Sequence, residues 1–372
     1  MIEVSIVMPC LNEAETIEKV VKKAFSFLEN NNIAGEVVIG DNGSTDQSQE
    51  IAMSLGARVI DVEEKGYGSA SRFAIEASKG TFIITADTDD SHDLDNLMPF
   101  IELLRNGQDF VMGNRFKGIK KKNAMPFLHR YVGNPVLTFI GNLFFNSNIG
   151  DFHCGLRGFT REAYNKMDLQ TSGMEFASEI VVKATLNKLK ISEVPTTVFP
   201  AGRTRKPHLR TFSDGWRHLR FLLMYSPKWL FLIPGVFCIV FGFFSSILIF
   251  FKFWNINATW LAVTAGLFLI GFQFVFFFAL VKIYAINSGL LRKNESYSKL
   301  FHVFTLERGL LAGLIFLIIG IVLSIYTFNI PQELRIELIR YIIPITVSLT
   351  LGVQLVLFSF FFSILGINHE QN

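Results

Sequence analysis

The sequence predicts an α/β domain with a largely parallel sheet, followed by a membrane domain. Three observations predict it. Short apolar runs alternate with amphipathic helical stretches through the first third of the chain, the signature of a parallel sheet covered on both faces. Nearly all the acids lie before residue 215, and the region 231–366 is dominated by Phe, Leu, Ile, Val and Gly.

VSIVMP (4–9) is the first strand. In the stretch that follows, Ile17, Val20, Val21, Ala24, Phe25 and Leu28 recur at helical spacing, and Asn12 with Glu15 reads as a capping pair for that helix. EVVIG (36–40) precedes a helix ending near Gly56, and ARVID (57–61) precedes one from about Gly68 to Ser78. TFIITA (81–86) precedes a helix around 94–105. In open sheets of this kind ligands lie outside the carboxyl ends of the strands. Directly after three of the strands come PCLNE (9–13), GDNGSTD (40–46) and ADTDD (86–90), so the polar, glycine-rich and acidic segments share one edge.

The acidic segment is the most demanding of these. Asp87, Asp89, Asp90 and Asp93 crowd seven positions at the end of a buried strand. Two carboxylates ~4 Å apart repel by about 1 kcal/mol in water and by more where partly buried, so the cluster calls for a cation.

Four apolar stretches, at about 231–251, 259–286, 309–328 and 341–366, reach the roughly 20 residues a helix needs to cross a bilayer core. Short loops set the orientation. The 252–258 link has only Lys252, and 329–340 balances Glu333 and Glu337 against Arg335 and Arg340. By contrast 287–308 carries Arg292, Lys293, Lys299 and Arg308, and Arg217, Arg220 and Lys228 precede the first span. Both termini and the α/β domain are therefore expected in the cytoplasm of a bacterial or archaeal type of cell membrane. MIEVSIVMP lacks the basic start of a signal peptide. Cys10, Cys154 and Cys238 fit neither a disulfide framework nor a metal knuckle, which suits reduced thiols on that side.

Between 211 and 225, Phe212, Trp216, Leu219 and Leu223 form one stripe with Arg217 and Arg220 off it, the profile of an interfacial helix. PVLTFIGNLFF (135–145) is too short to span and, with the FKGIKKK run, suggests a second membrane-facing segment. KGYGSASRF (65–73) has Gly66 and Gly68 but lacks the third glycine and the position of a nicotinamide fingerprint, which excludes a dehydrogenase. A net charge of +3 gives no indication of a nucleic-acid partner.

PCLNEAETI, GDNGSTD, KGYGSASRFAI, ADTDD, GNRF, DFHCGLRGF and EVPTTVFPAGRTRKPHLR, in that order, resemble the family-2 glycosyltransferases of GT-A fold. The resemblance covers residues 1 to about 225 and is strongest to the branch that makes polyprenyl-phosphate and dolichol-phosphate sugars. It implies a Rossmann-like, mixed, mostly parallel sheet, and transfer of one sugar from a UDP- or GDP-linked donor to a polyprenyl phosphate with inversion. The implied nucleotide pocket comprises Pro9, Asn12, Glu13, Asp41 (facing the base), Ser44, Asp46, Gly66 and Arg72. Asp87 and Asp89 form the D-x-D pair for Mg²⁺ or Mn²⁺, an ion that prefers hard oxygen ligands. The resemblance also puts Arg115, Asp151 and Arg157 on the acceptor side of the reacting centre.

Relatives often have Asp where Asn42 stands and Gln where Ser91 stands, so Ser91 is carried as the third metal ligand. The GRTRKPHLR run, with Arg203, Arg205, Lys206, His208 and Arg210 close together, is expected to cradle the acceptor phosphate. Glu175 and Glu179 match family acids and equally suit pairing with basic neighbours. The expected partners are the nucleotide sugar, the lipid phosphate and the membrane, with a homo-oligomer left open. The alternatives are a processive polysaccharide synthase, whose Q-x-x-R-W motif is missing around Gly215-Trp216-Arg217, a translocator of lipid-linked sugar, and an inactive nucleotide-sugar sensor.

Overall fold

The computed structural model describes residues 1–122, 124–205, 211–253, 259–287, 305–328 and 338–366. The chain divides into two compact units, 1–222 and 223–372.

The first unit is a seven-stranded sheet in the order β3-β2-β1-β4-β6-β5-β7. Its strands are β1 (Val4–Cys10), β2 (Gly35–Asp41), β3 (Arg58–Asp61), β4 (Phe82–Thr85), β5 (Phe110–Asn114), β6 (Arg157–Thr160) and β7 (Ile191–Pro195). All neighbours run parallel except β6, which is antiparallel to β4 and β5. The first four strands fall where the apolar runs predict them: β1, β2 and β4 are well covered and read as largely hydrophobic sequence, whereas β3 at the sheet edge has only Val59 and Ile60 between Arg58 and Asp61.

Helices α1 (Ile17–Asn30), α2 (Ser48–Ser54), α3 (Tyr67–Ala77) and α4 (Met98–Arg105) follow β1 to β4. On α1 the buried face is Ile17, Val20, Val21, Ala24, Phe27 and Leu28, with Phe25 only packed against its edge. Each large side chain so buried contributes about 1.5–3 kcal/mol. Asn12 does not cap α1. Thr16 holds that position, while Asn12 adopts a left-handed φ of 54° and its Oδ1 accepts the N–H of Thr45 at 2.7 Å. Helix α4 starts at Met98 rather than 94, with Pro99 in its first turn, where a missing N–H costs nothing.

Later elements are α5 (Asn134–Phe145), entered through a wide π-helical turn at His129–Gly133, then α6 (Arg161–Met167), α7 (Phe176–Leu186) and α8 (Thr211–Met224). The predicted stripe on α8 is open at its start, with Phe212 and Trp216 exposed. The opposite side buries Asp214, His218, Phe221 and Leu222.

The second unit holds α9 (Ile233–Phe250), α10 (Thr259–Asn287), α11 (Leu306–Phe328) and α12 (Leu338–Gly366), all long and apolar enough to cross a membrane. They form two hairpins of like design. A Cβ on Gly235 would lie 3.0 Å from the carbonyl oxygen of Gly271, and one on Gly313 would lie 2.8 Å from that of Gly352, so each helix pair meets backbone to backbone. The hairpins join where Phe276 of α10 stacks on Phe358 of α12 with ring centroids 4.4 Å apart. Arg340 donates to the carbonyls of Ile249 and Phe250 and so caps the C-terminus of α9. Arg292, Lys293 and Lys299, on which much of the expected orientation rests, lie outside the described residues.

Candidate active site

Parallel register brings three strand ends together. Cys10 pairs with Asp41 and Val7 with Thr85, so the segments 11–16, 42–48 and 86–92 leave the sheet on one edge. Thr88 ties two of them by donating to the carbonyl of Pro9 across 3.0 Å.

Asp87 is held from both sides. Tyr67 Oη donates to its Oδ1 at 3.0 Å, and His92 Nε2 lies 3.0 Å from its Oδ2. Burial works against the charged form, but these contacts and nearby Arg115 outweigh it and keep the carboxyl below its ordinary range. Burial, reinforced by Asp87, pushes the Tyr67 phenol well up, so it stays a donor. Asp89 accepts the N–H of Ser91 on Oδ1 at 3.1 Å, and Arg203 Nη2 stands 3.2 Å from its Oδ2. Asp90 turns away with a left-handed φ of 61° and takes Lys19 at 2.5 Å and Lys23 at 2.6 Å, both from α1.

Among the described residues no group of three or more His, Cys, Asp or Glu is placed to hold a metal ion. Asp87 and Asp89 nevertheless suit a divalent ion whose remaining positions are filled by a ligand. They offer hard oxygens, and each Asp87 oxygen keeps a lone pair beyond its one hydrogen bond. Ser91 meets Asp89 through its backbone N–H.

The residues expected to line the nucleotide pocket form a tightly bonded shelf. Asp41 is fully buried, with Oδ2 accepting from Gly43, Ser44 and Gln49 and Oδ1 from the Ser44 hydroxyl at 2.5 Å. Asp46 accepts the N–H of Ala14 and the N–H and hydroxyl of Ser48. Gly66 has a φ of 137°, which favours glycine, and donates to Asn42 Oδ1 at 2.7 Å. Arg72 pairs with Glu64 at 2.8 Å, lying over the Phe73 ring.

The arginine run does not stand apart from this shelf. Val198 bridges to His92 on one side and to Lys120 on the other, and Phe199 N–H donates to Ser91 O at 3.0 Å. From there the strap crosses the loops that follow β4 and β1. Gly202 N–H donates to Asp89 O at 2.9 Å, Arg203 Nη1 reaches Glu13 Oε1 at 2.5 Å, and Thr204 bonds Glu15 twice at 2.7 Å. Arg205 shares Glu13 Oε1 and donates to the carbonyls of Asn12 and Leu11. Lys206, His208 and Arg210 lie outside the described residues.

Arg115 and Asp151 bind each other in a two-pronged pair, with Nε–Oδ2 at 2.7 Å and Nη2–Oδ1 at 2.8 Å and Asp151 wholly buried. Burial favours loss of the Arg115 proton, but Asp151 prevails and raises its pKa. Arg157 is buried and donates to the carbonyls of Cys154 and Phe152. Cys154 is buried, its thiol pushed up to about 12 by burial and then by Asp151, so it is an inert small residue. Glu179 is also buried, accepting from Gln170 and Thr171 and pairing with Lys183 at 3.1 Å.

Sequence reading missed Tyr67, His92, and a polar chain behind the site. His153 Nε2 and His218 Nδ1 both bond the Ser178 hydroxyl, at 3.0 and 2.9 Å, linking the 151–154 segment through α7 to α8. Burial pushes His218 down to about 4 against the pull of Asp214, and pushes His153 well below its ordinary value. The helical spacing of Asp214, His218, Phe221 and Leu222 was the available signal. Around α5, Phe127, Tyr131, Val136 and Phe139 are exposed, so the expected second apolar segment has an open face.

Residues 5–168 match the family model described as "Glycosyl transferase family 2", and residues 279–366 match "Glycosyltransferase family 2 C-terminal transmembrane region". The chain is 35% identical to the low-salt glycan biosynthesis hexosyltransferase Agl6 of Haloferax volcanii, over 97% of this chain and 89% of that protein. It is 30% identical to a dolichyl-phosphate hexose transferase of the same organism over 52% of this chain and 81% of that one. A dolichol-phosphate mannosyltransferase of Pyrococcus furiosus is 27% identical over 52% of this chain and 56% of its own length.

Proposed function

The chain belongs to glycosyl transferase family 2, and from that membership we propose that it transfers one hexose from a nucleotide sugar to a polyprenyl phosphate, with inversion at the anomeric carbon. One observation carries the reading. The Asp87/Asp89 pair and the guanidinium of Arg203 stand at the carboxyl edge of the sheet, with Arg203 Nη2 3.2 Å from Asp89, so cation-seeking and anion-seeking groups share one place. Relatives named as dolichyl-phosphate and dolichol-phosphate transferases support the lipid acceptor.

Asp87 and Asp89 would hold Mg²⁺ or Mn²⁺, which would supply positive charge against the departing diphosphate. Tyr67 and His92 fix the rotamer of Asp87, and the Ser91 N–H fixes Asp89. Pro9, Asn12, Glu13, Asp41, Ser44, Asp46, Gly66 and Arg72 form the donor shelf. An acceptor phosphate with a second pKa near ~6 is mostly dianionic at neutral pH, so it attacks without a general base. Its orientation falls to Arg205, Lys206, His208 and Arg210, with Arg203 shared between it and the donor diphosphate beside Asp89, and with Arg115, Asp151 and Arg157 shaping the acceptor side. The catalytic unit and both termini face the cytosol, as the basic loops indicate, and the exposed apolar residues of α5 and α8 meet lipid.

The test incubates the purified full chain with a polyprenyl phosphate, a divalent ion and a panel of radiolabelled nucleotide sugars. Lipid-extractable label that disappears in Asp89→Ala is the expected result. Label found only in a lengthening polymer overturns the proposal.

A further inference from the structure

Arg203 occupies a position that the charge of the acid pair makes consequential. Its guanidinium touches Glu13 Oε1 at 2.5 Å and Asp89 Oδ2 at 3.2 Å, and its Nε is buried without a hydrogen-bond partner. The side chains of Arg203, Glu13 and Asp89 are 12%, 6% and 15% exposed, so solvent screens little of this triangle. Asp89 is also one of the two carboxylates assigned to the divalent ion. A guanidinium on one of its oxygens uses lone-pair capacity and places positive charge beside any cation that arrives.

We propose that Arg203 is the resident competitor of the divalent ion at Asp89, so that the ion binds poorly alone and strongly together with a diphosphate that takes Arg203 over. The inference rests on Asp87 and Asp89 being the metal pair. Three features fit the role. The strap is anchored independently of the contested contact, through Gly202 on the Asp89 carbonyl, Thr204 on Glu15 and Arg205 on Asn12. Arg203 can therefore release Asp89 without the strap lifting. Glu13, shared by Arg203 and Arg205, keeps a counter-charge on the guanidinium after release. The unpartnered Nε leaves a donor for an incoming anion. Linkage then requires the ion and the diphosphate to strengthen each other's binding by the same factor.

The experiment titrates Mn²⁺ into the purified full chain, followed by electron paramagnetic resonance, with no nucleotide and again with UDP or GDP. In the unaltered protein Mn²⁺ binding tightens about tenfold or more when the diphosphate is present, the scale of one unit charge a few ångströms from a divalent ion. Arg203→Gln tightens binding of Mn²⁺ alone by about tenfold and shrinks the diphosphate effect by a similar factor, leaving the part that direct coordination supplies, whereas Arg203→Lys keeps the weak binding of Mn²⁺ alone and most of the diphosphate effect. A thermal melt of each variant confirms folding, and Arg203→Met takes the place of Arg203→Gln if the latter is unstable, with the same tightening of Mn²⁺ alone expected. Unchanged or weaker binding of Mn²⁺ alone in folded Arg203→Gln overturns the proposal. Asp89→Asn separates the two readings. If it abolishes Mn²⁺ binding while Arg203→Gln changes nothing, only the competition fails, and if it leaves Mn²⁺ binding intact, the metal assignment fails first.

Discussion

The phenol of Tyr67 donates to Asp87 Oδ1 across 3.0 Å, joining the first turn of α3 to the acidic loop. A hydrogen bond to a charged group contributes about 1.5–3 kcal/mol, and here its effect is spent on aiming one carboxylate. Tyr67→Phe should lower kcat/KM for sugar transfer by about tenfold, with a fall in stability of no more than about 1.5–3 kcal/mol because the ring stays in place. Steady-state kinetics beside a thermal melt checks it, and a kcat/KM equal to that of the unaltered protein argues against the orienting role.

Asp90 tethers the same loop to α1 through Lys19 and Lys23. Asp90→Asn keeps the size and removes the charge, leaving Lys23 half-buried without its counter-ion. A loss of about 1–2 kcal/mol in stability is expected, below the cost of breaking a fully buried pair because Lys19 is largely exposed. Mn²⁺ affinity should fall with it, and Lys23→Met should reproduce much of the effect in the same denaturation and titration series.

The His153–Ser178–His218 chain predicts a pH dependence. Both imidazoles are held below their ordinary pKa by burial, His218 at about 4. The unfolded chain therefore binds protons near pH 6.5 that the folded chain refuses. Stability from His218 is complete above about pH 6.5 and is lost as pH falls towards 4. Thermal melts between pH 4 and 7.5 should show the decline, with a shallower slope in His218→Gln, and parallel slopes in the two proteins would refute it.

Asp151→Asn should cost about 3 kcal/mol or more, because it leaves the Arg115 guanidinium buried beside a neutral amide. The double variant Arg115→Met, Asp151→Leu should recover much of the stability in denaturant titrations. Sugar transfer should remain at least a hundredfold down in that folded double variant. Recovery of activity along with stability would confine the pair to holding the fold.

In the second unit, Gly271→Leu should destabilise the α9/α10 hairpin by about 1–3 kcal/mol, since even its Cβ would fall 2.7 Å from the Gly235 oxygen. Phe237→Ala, at an exposed position, serves as the comparison and should leave the melting temperature in detergent nearly unchanged.

Much of this architecture was legible in the sequence for identifiable reasons. Parallel strands β1 to β4 each centre on an apolar run, short in β3 and longer in the others, and their loops carry the polar punctuation that the sheet gathers on one edge. Strand β6 was not legible. Four residues, Arg157–Thr160, carry no signal that they insert antiparallel between β4 and β5. Asn12 resembled a helix cap because spacing does not reveal its left-handed backbone. Asp87 and Asp89 announced themselves by charge, whereas Tyr67 and His92 touch them through contacts that only the fold creates. The arginine run was read as a pocket of its own, yet Arg203 and Arg205 bond Glu13, more than 180 residues earlier in the chain.

The paired glycines of the second unit bear on how this chain is made. Gly235 and Gly242 on α9 recur seven residues apart, as do Gly313 and Gly320 on α11, and each set closes on the helix that follows it. Each hairpin thus holds close backbone contacts of its own, and the first can pair while the second is still being synthesised. The meeting of Phe276 with Phe358 and the capping of α9 by Arg340 have to wait for the last helix.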